Sequence, residues 1–258
     1  MVVKISWSPA GGDSLKFDVY KNGALKRSSI SADAIWDTLA FENVYSYQIK
    51  ALDIAGNASA LSDGAIVRYD RTLPKAAIVL TPASPVGIKG SQVKLVTTED
   101  LAKVPSLNYT PYGGLPVTVS LTGGPREWTG PVVPPAGSPQ GNALFRFSGT
   151  DLAGNIGSSI SSGAGFVIDL SAPGIPQAVN SRAITGGQVF LSWSSVPEAA
   201  NYNIYRSLEP LDTNLVAYLI KTGVAGTNFC DNTDYDSLYY YAVSASDGAK
   251  NEGMISVN

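Results

Sequence analysis

The six residues Thr150-Asp151-Leu152-Ala153-Gly154-Asn155 have a near copy in Leu52-Asp53-Ile54-Ala55-Gly56-Asn57. A degraded copy is Ser246-Asp247-Gly248-Ala249-Lys250-Asn251. The aspartates stand at 53, 151 and 247, spacings of 98 and 96 residues. A period near 97 is the length of a common domain, so a chain of 258 residues reads as one unit used three times. Gly56 and Gly154 supply the positive φ of a turn, the asparagines tolerate the same region, and Asp accepts hydrogen bonds from loop amides. The motif therefore reads as a structural turn at the end of a strand.

The strands leading into the turns alternate with period two. In residues 45–53, Tyr45, Tyr47, Ile49 and Ala51 alternate with Ser46, Gln48 and Lys50. Residues 239–247 repeat this with Tyr239, Tyr241, Val243 and Ala245. Further upstream, Phe17, Val19 and Tyr20 match Tyr202, Ile204 and Tyr205, and Asn22-Gly23 supplies a type I′ hairpin turn. Trp7 and Trp193 precede Tyr20 and Tyr205 by 13 and 12 residues. Residues 31–44 place Ile35, Trp36 and Leu39 at helix-like spacing, but the counterpart at 226–237 is a poor helix, so both read as a short strand plus loop. The middle segment is short strands between Gly/Pro turns, with Phe145 and Phe147 in the inward places of the tyrosines. Joints at 67–77 and 166–176 run from apolar strand through Asp to Pro, which cannot donate to a ladder and stiffens the connection.

Composition narrows the function. With 26 Gly and 16 Pro the chain is turn-rich, and 44% hydrophobic content suits folded domains. Net charge −3 and no basic stripe argue against nucleic acid. No apolar run reaches the roughly 18 residues of a membrane helix, and residues 1–12 lack the apolar core of a leader. The absence of His removes Ser-His-Asp and Cys-His catalysis and His-ligated metals, and Cys230 alone forms no intrachain disulfide. Cys230 aligns with Trp36 and is expected to face inward as a small apolar residue.

The outer segments resemble fibronectin type III domains. The resemblance rests on Trp7 and Trp193, on the Phe17–Tyr20 and Tyr202–Tyr205 patterns, on Tyr45–Ala51 and Tyr239–Ala245, and on a Leu39…Tyr45 spacing like the family's tyrosine corner, where the third segment has Thr233. The middle segment resembles bacterial immunoglobulin-like modules through residues 128–130, 148–157 and 166–173. The resemblance implies an all-β chain of three tandem antiparallel β-sandwich domains in an extended rod, divided at residues 1–72, 73–171 and 172–258. Only six residues precede Trp7, so strand A of the first domain is expected to be missing or short, as in a fragment of a longer protein.

The implied role is a non-catalytic spacer and interaction module, part of an exported bacterial surface or adhesion protein at the cell surface or outside the cell. A glycan-binding accessory region of a secreted polysaccharide-degrading enzyme is the alternative. Flanking domains and a protein or glycan ligand are the expected partners, without nucleic acid or membrane insertion. Glycoside hydrolysis needs two carboxyls across one sugar. Glu42, Glu99, Asp100, Asp231, Asp234 and Asp236 read instead as turn acids. Trp7, Trp193, Tyr45 and Tyr239 are expected in the cores. Tyr109, Tyr112 and Trp128 beside turns, and Tyr235 between two aspartates, are the candidates for ligand contact, with packing as the competing role. No cofactor is expected. Calcium at the joints, held by the repeated Asp with Asp70 or Asp169, is a minor alternative, because calcium takes six to eight oxygens.

Overall fold

The computed structural model describes residues 1–8, 15–210, 219–233 and 237–256. Every regular element among them is a strand, and no helix there is long and apolar enough to cross a membrane. The chain forms two compact units. One comprises residues 1–74 with 150–157, and the other residues 75–149 with 158–258.

In the first unit, β1 (Val2–Ser6) pairs β4 (Ala34–Thr38). A four-stranded sheet runs β3 (Ala24–Ile30), β2 (Lys16–Lys21), β5 (Asn43–Leu52), β6 (Ala65–Tyr69). The alternation read from the sequence sets the core: Val3, Ile5, Val19, Leu39, Tyr45 and Tyr47 are buried together, and Trp7 packs against them half-exposed. Asn22 and Gly23 both take positive φ, 51° and 77°, which turns β2 into β3. The Tyr45 hydroxyl donates to the Phe41 carbonyl at 2.7 Å, closing the corner below Leu39.

The second unit contains two cores. In the middle sandwich, one sheet joins β7 (Lys75–Thr81), β8 (Ser91–Thr97), β11 (Thr122–Gly123), β12 (Glu127–Val132) and β15 (Ser159–Ser162). The facing sheet holds β9 (Ser106–Pro111), β10 (Val117–Thr118), β13 (Gly141–Thr150) and β16 (Gly165–Ile168), while β14 (Ile156–Gly157) ends the segment that belongs to the first unit. Strand pairing is antiparallel apart from β15 on β7, and the isolated bridge between Val86 and Ile168 is parallel as well, so among the described residues the purely antiparallel expectation is corrected at these two places. Tyr109, Phe145 and Phe166 stack with centroids 4.9–6.2 Å apart beside Leu95, Leu107 and Trp128. Each large apolar side chain so buried stabilises by about 1.5–3 kcal/mol.

In the third sandwich, β18 (Gln188–Ser192) lies between β17 (Asn180–Ile184) and β21 (Asn228–Asn232). The facing sheet runs β20 (Leu219–Val224), β19 (Asn201–Ser207), β22 (Tyr240–Ser246). Leu191, Trp193, Tyr202, Ile204, Tyr241, Val243 and Ala245 form its core. The expectation that Cys230 faces inward is corrected: it is exposed. On β21 the alternation turns Asp231 inward, so Cys230 opposite Phe190 falls on the outer face, as Trp36 does, 64% exposed, on β4.

Candidate functional site

The repeated turn is built the same way three times. Asp53 Oδ1 accepts the Asn57 backbone N–H at 2.8 Å and Oδ2 its side-chain amide at 2.8 Å. Asp151 accepts the same pair from Asn155, both at 2.9 Å, plus the Ala153 N–H at 2.8 Å. Asp247 accepts them from Asn251, both at 2.9 Å. At Asp53 the Asn57 side-chain bond is the largest influence and lowers the carboxyl. Burial pushes Asp151 up, but the Asn155, Ala153 and Gly154 bonds outweigh it and hold it below the ordinary range.

Two of the asparagines have a second role that the sequence reading missed. Asn155 donates to the Asp70 carbonyl at 3.1 Å within the first unit. Within the second unit Asn251 donates to the carbonyls of Asp169 (2.8 Å) and Ser171 (3.3 Å), and its Oδ1 accepts the Ile88 N–H at 3.0 Å. Both fasten a Pro-containing joint. Six residues after the Asp comes a glycine in each case. A Cβ on Gly157 would lie 1.9 Å from the Pro74 carbonyl oxygen, and one on Gly253 2.3 Å from that of Pro173. The first copy has Ser59 at this place. The spacing Asp-x-x-x-Asn-x-Gly was the available signal. Of the candidate calcium ligands, Asp70 and Asp151 bring carboxylate oxygens within 4.8 Å of each other. The Asp151 oxygens already accept three N–H groups.

A second repeated cluster sits on the inner strands. Asp37 on β4 accepts the Tyr47 hydroxyl at 2.6 Å and pairs with Lys21 at 2.7 Å and Lys26 at 3.0 Å. Asp231 on β21 accepts the Tyr241 hydroxyl at 2.9 Å and pairs with Arg206 at 2.8 Å. Lys21 lies 4.4 Å from the Tyr45 ring centroid and Arg206 5.1 Å from that of Tyr239. Burial acts to raise the Asp37 carboxyl, but the bonds from Lys21, Tyr47 and Lys26 prevail and hold it well below the carboxylate range. Burial, then the Asp37 bond, pushes Tyr47 up, and burial with Asp231 does the same to Tyr241. Opposite charges in hydrogen-bonded contact leave no free acid or base here.

Equivalent aspartates, tyrosines and cations in matching sheets relate the outer sandwiches, and facing sheets around an aromatic core define the middle one. The chain is a tandem of fibronectin type III-like and immunoglobulin-like sandwiches. No protein-family model matches it. It is 24% identical over 266 residues to exoglucanase B of Cellulomonas fimi, covering 96% of this chain and 23% of that protein. It is 41% identical over 92 residues to amylopullulanase of Thermoanaerobacterium saccharolyticum, covering 35% of this chain and 7% of that protein. The chain thus spans 23% and 7% of the lengths of these two relatives. The structure of chicken CNTN1 FN1–FN3 domains overlays with a TM-score of 0.48 at 13% identity, covering 99% of this chain and 91% of that one.

The four candidate aromatics part company. Tyr109 and Trp128 are corrected to core residues: 0% and 2% exposed, they take the inward places of β9 and β12, and the Tyr109 hydroxyl donates to the Val133 carbonyl at 3.0 Å. Tyr235, with Asp234 and Asp236, lies outside the described residues. Tyr112 is 84% exposed. It rides a turn closed by Gly114 N–H to the Pro111 carbonyl at 2.9 Å, with Gly113 at φ 72°, and its own N–H donates to the Asn142 carbonyl at 2.8 Å. Beside it the outward face of β13 and β16 forms a groove of about 680 Å³ lined by Thr110, Asn142, Leu144, Arg146 and Val167. Leu144 and Val167 give it an exposed apolar floor, and Arg146 has no ion-pair partner among the described residues. None of the lining residues carries a carboxylate. Such a surface offers a ring and an apolar strip for the C–H face of a sugar, with amide, hydroxyl and guanidinium donors for its hydroxyls.

Two further candidate acids are engaged elsewhere. Asp100 pairs with Arg126 at 2.5 Å, and Glu42 accepts the Arg71 N–H and the Thr72 hydroxyl, each at 3.0 Å.

Proposed function

We propose that this chain is a non-catalytic accessory segment of an exported protein that acts on or adheres to polysaccharide. Its type III-like sandwiches serve as spacers, and the groove at Tyr112 contacts glycan. The observation that carries the reading is Tyr112, a tyrosine held 84% exposed by a turn at the rim of a carboxylate-free groove. Burying a ring on a ligand recovers apolar area that the folded chain leaves in water. The names of the two curated relatives, an exoglucanase and an amylopullulanase, favour polysaccharide over other ligands.

The test is retention of the chain on a panel of insoluble and soluble polysaccharides, with and without calcium. Tyr112→Ala is expected to lose retention by about 10-fold, the worth of one stacked ring, with its melting temperature unchanged. Retention lost on chelation would restore calcium to the joints. No retention on any polysaccharide would leave the spacer and adhesion reading, which rests on the fastened joint of Asn251 and Gly253.

A further inference from the structure

The sheet face that carries the Tyr112 groove holds a single charge. Alternation turns Asn108, Thr110, Asn142, Leu144, Arg146 and Val167 outward. The other outward positions of these strands and of β10 are serine, threonine and glycine. No acid stands on this face, in a chain with 21 acidic and 18 basic residues. On the opposite face of the same sandwich, Lys94 of β8 meets Glu127 of β12 at 2.9 Å. Such a cross-strand pair is the ordinary way to settle an exposed cation on a sheet. Arg146 instead lies across from Asn108, with Leu144 and Ser148 two residues away on its own strand. It has no ion-pair partner among the described residues.

The groove sets the tyrosine ring and the guanidinium at two stations. Tyr112 N–H is bonded to the Asn142 carbonyl. Arg146 follows Asn142 by four residues on β13, about 13 Å along the strand at roughly 3.3 Å per residue. Between them Leu144 and Val167, the latter opposite Asn142 on β16, leave apolar surface in water. A ligand that meets both stations along this strip is a chain of sugars.

Resting on the glycan reading of this groove, we infer that its ligand is an acidic polysaccharide with carboxylates on its sugar rings. A uronate chain lays one ring against Tyr112, sets C–H surface on Leu144 and Val167, and presents a carboxylate to Arg146. The guanidinium offers a planar fork of N–H donors that fits a carboxylate in two parallel bonds. A neutral glucan gives the same cation only hydroxyl oxygens, which are weaker acceptors than an ionised group. With no acid on the face, nothing there repels the further carboxylates of the polymer.

The test is retention of the full chain on immobilised polygalacturonate, on the same polymer with its carboxyls methyl-esterified, and on a neutral glucan. Polygalacturonate is expected to retain the chain at least about 10-fold more strongly than its ester, the worth of a hydrogen bond to a charged group. That preference should shrink as salt rises from about 0.01 M to about 1 M, where the screening length falls from roughly 30 Å to roughly 3 Å. Arg146→Gln is expected to bring polygalacturonate down to the level of the ester, with the melting temperature unchanged. Arg182→Gln makes the same change of charge on β17 of the third sandwich and should leave the preference intact. The inference is overturned, with the glycan reading left standing, by equal retention on the three polymers or by retention on the neutral glucan alone. It is also overturned by a preference that survives Arg146→Gln, or by one that Arg182→Gln removes as well, since net charge rather than a site would then be at work. No retention on polygalacturonate overturns it too, and the glycan reading falls with it only if the wider polysaccharide panel is also unbound.

Discussion

Lys250 shows what one backbone angle costs. It sits at φ 67°, the place that Gly56 and Gly154 hold at 86° and 92° in the other turns. A side chain in the left-handed region costs roughly 1–2 kcal/mol, and part of this is returned because glycine loses more entropy on folding. Lys250→Gly is therefore expected to stabilise the third sandwich by about 0.5–1 kcal/mol, seen as a higher denaturant midpoint at constant slope. The neighbouring Asn251 is fully buried and bonds Asp247, Asp169, Ser171 and Ile88. Asn251→Ala leaves several buried groups unpaired and is expected to cost about 2–4 kcal/mol. Of these two residues, the turn geometry of the first was legible in the sequence, since glycine at that position advertises positive φ. The clamp of the second was not, because its partner carbonyls lie 80 and 82 residues away.

At the scale of strands, period-two alternation located β2, β5, β19 and β22 and their inward faces, because one side of each is dry. The same rule obscured Asp37 and Asp231: inward positions are expected to be apolar, and these aspartates are buried because Lys21, Lys26 and Arg206 reach them from the other sheet of each sandwich. It likewise left Tyr109, Tyr112 and Trp128 undecided beside turns, where one residue of register separates core from surface. The ion cluster has a pH signature. In the unfolded chain Asp37 titrates near its ordinary value, about 3.9, and in the fold it is held lower. Its contribution is thus full above that value and lost as pH falls below it. Asp37→Asn is expected to destabilise the first sandwich by about 1–3 kcal/mol at neutral pH. It should also flatten the loss of stability between pH 4 and 2, about the span of that titration. Denaturant midpoints measured across that range for both proteins check it; parallel acid limbs would remove Asp37 from the account.

At the scale of the molecule, the recurrence near every 97 residues revealed repeated sandwiches, but it could not reveal how two of them are joined within the second unit. That joint depends on absent atoms. Gly253 lets the Pro173 carbonyl approach to where a Cβ would stand 2.3 Å away, and Gly87 leaves room for the Ala249 carbonyl at 2.4 Å and Asn251 Oδ1 at 2.5 Å. Backbone cannot yield as a flexible side chain can, so a methyl group at either place must push the joint apart. With the joint intact, the Asn251 bonds and the two close approaches tie the middle core to the third, and both should unfold in a single calorimetric transition. Gly253→Ala adds one methyl to the joint and touches neither core. It should cost about 1–3 kcal/mol and split that transition in two, the third sandwich melting first because its core is smaller than the aromatic core of the middle one. Ser59→Gly, the reciprocal change at the first copy, meets no joint carbonyl and should leave the second unit's transition unmoved. A single unchanged transition in Gly253→Ala would show that the tie resides in the Asn251 hydrogen bonds alone. Splitting in Gly253→Ala but not in Gly87→Ala would assign it to the Pro173 carbonyl.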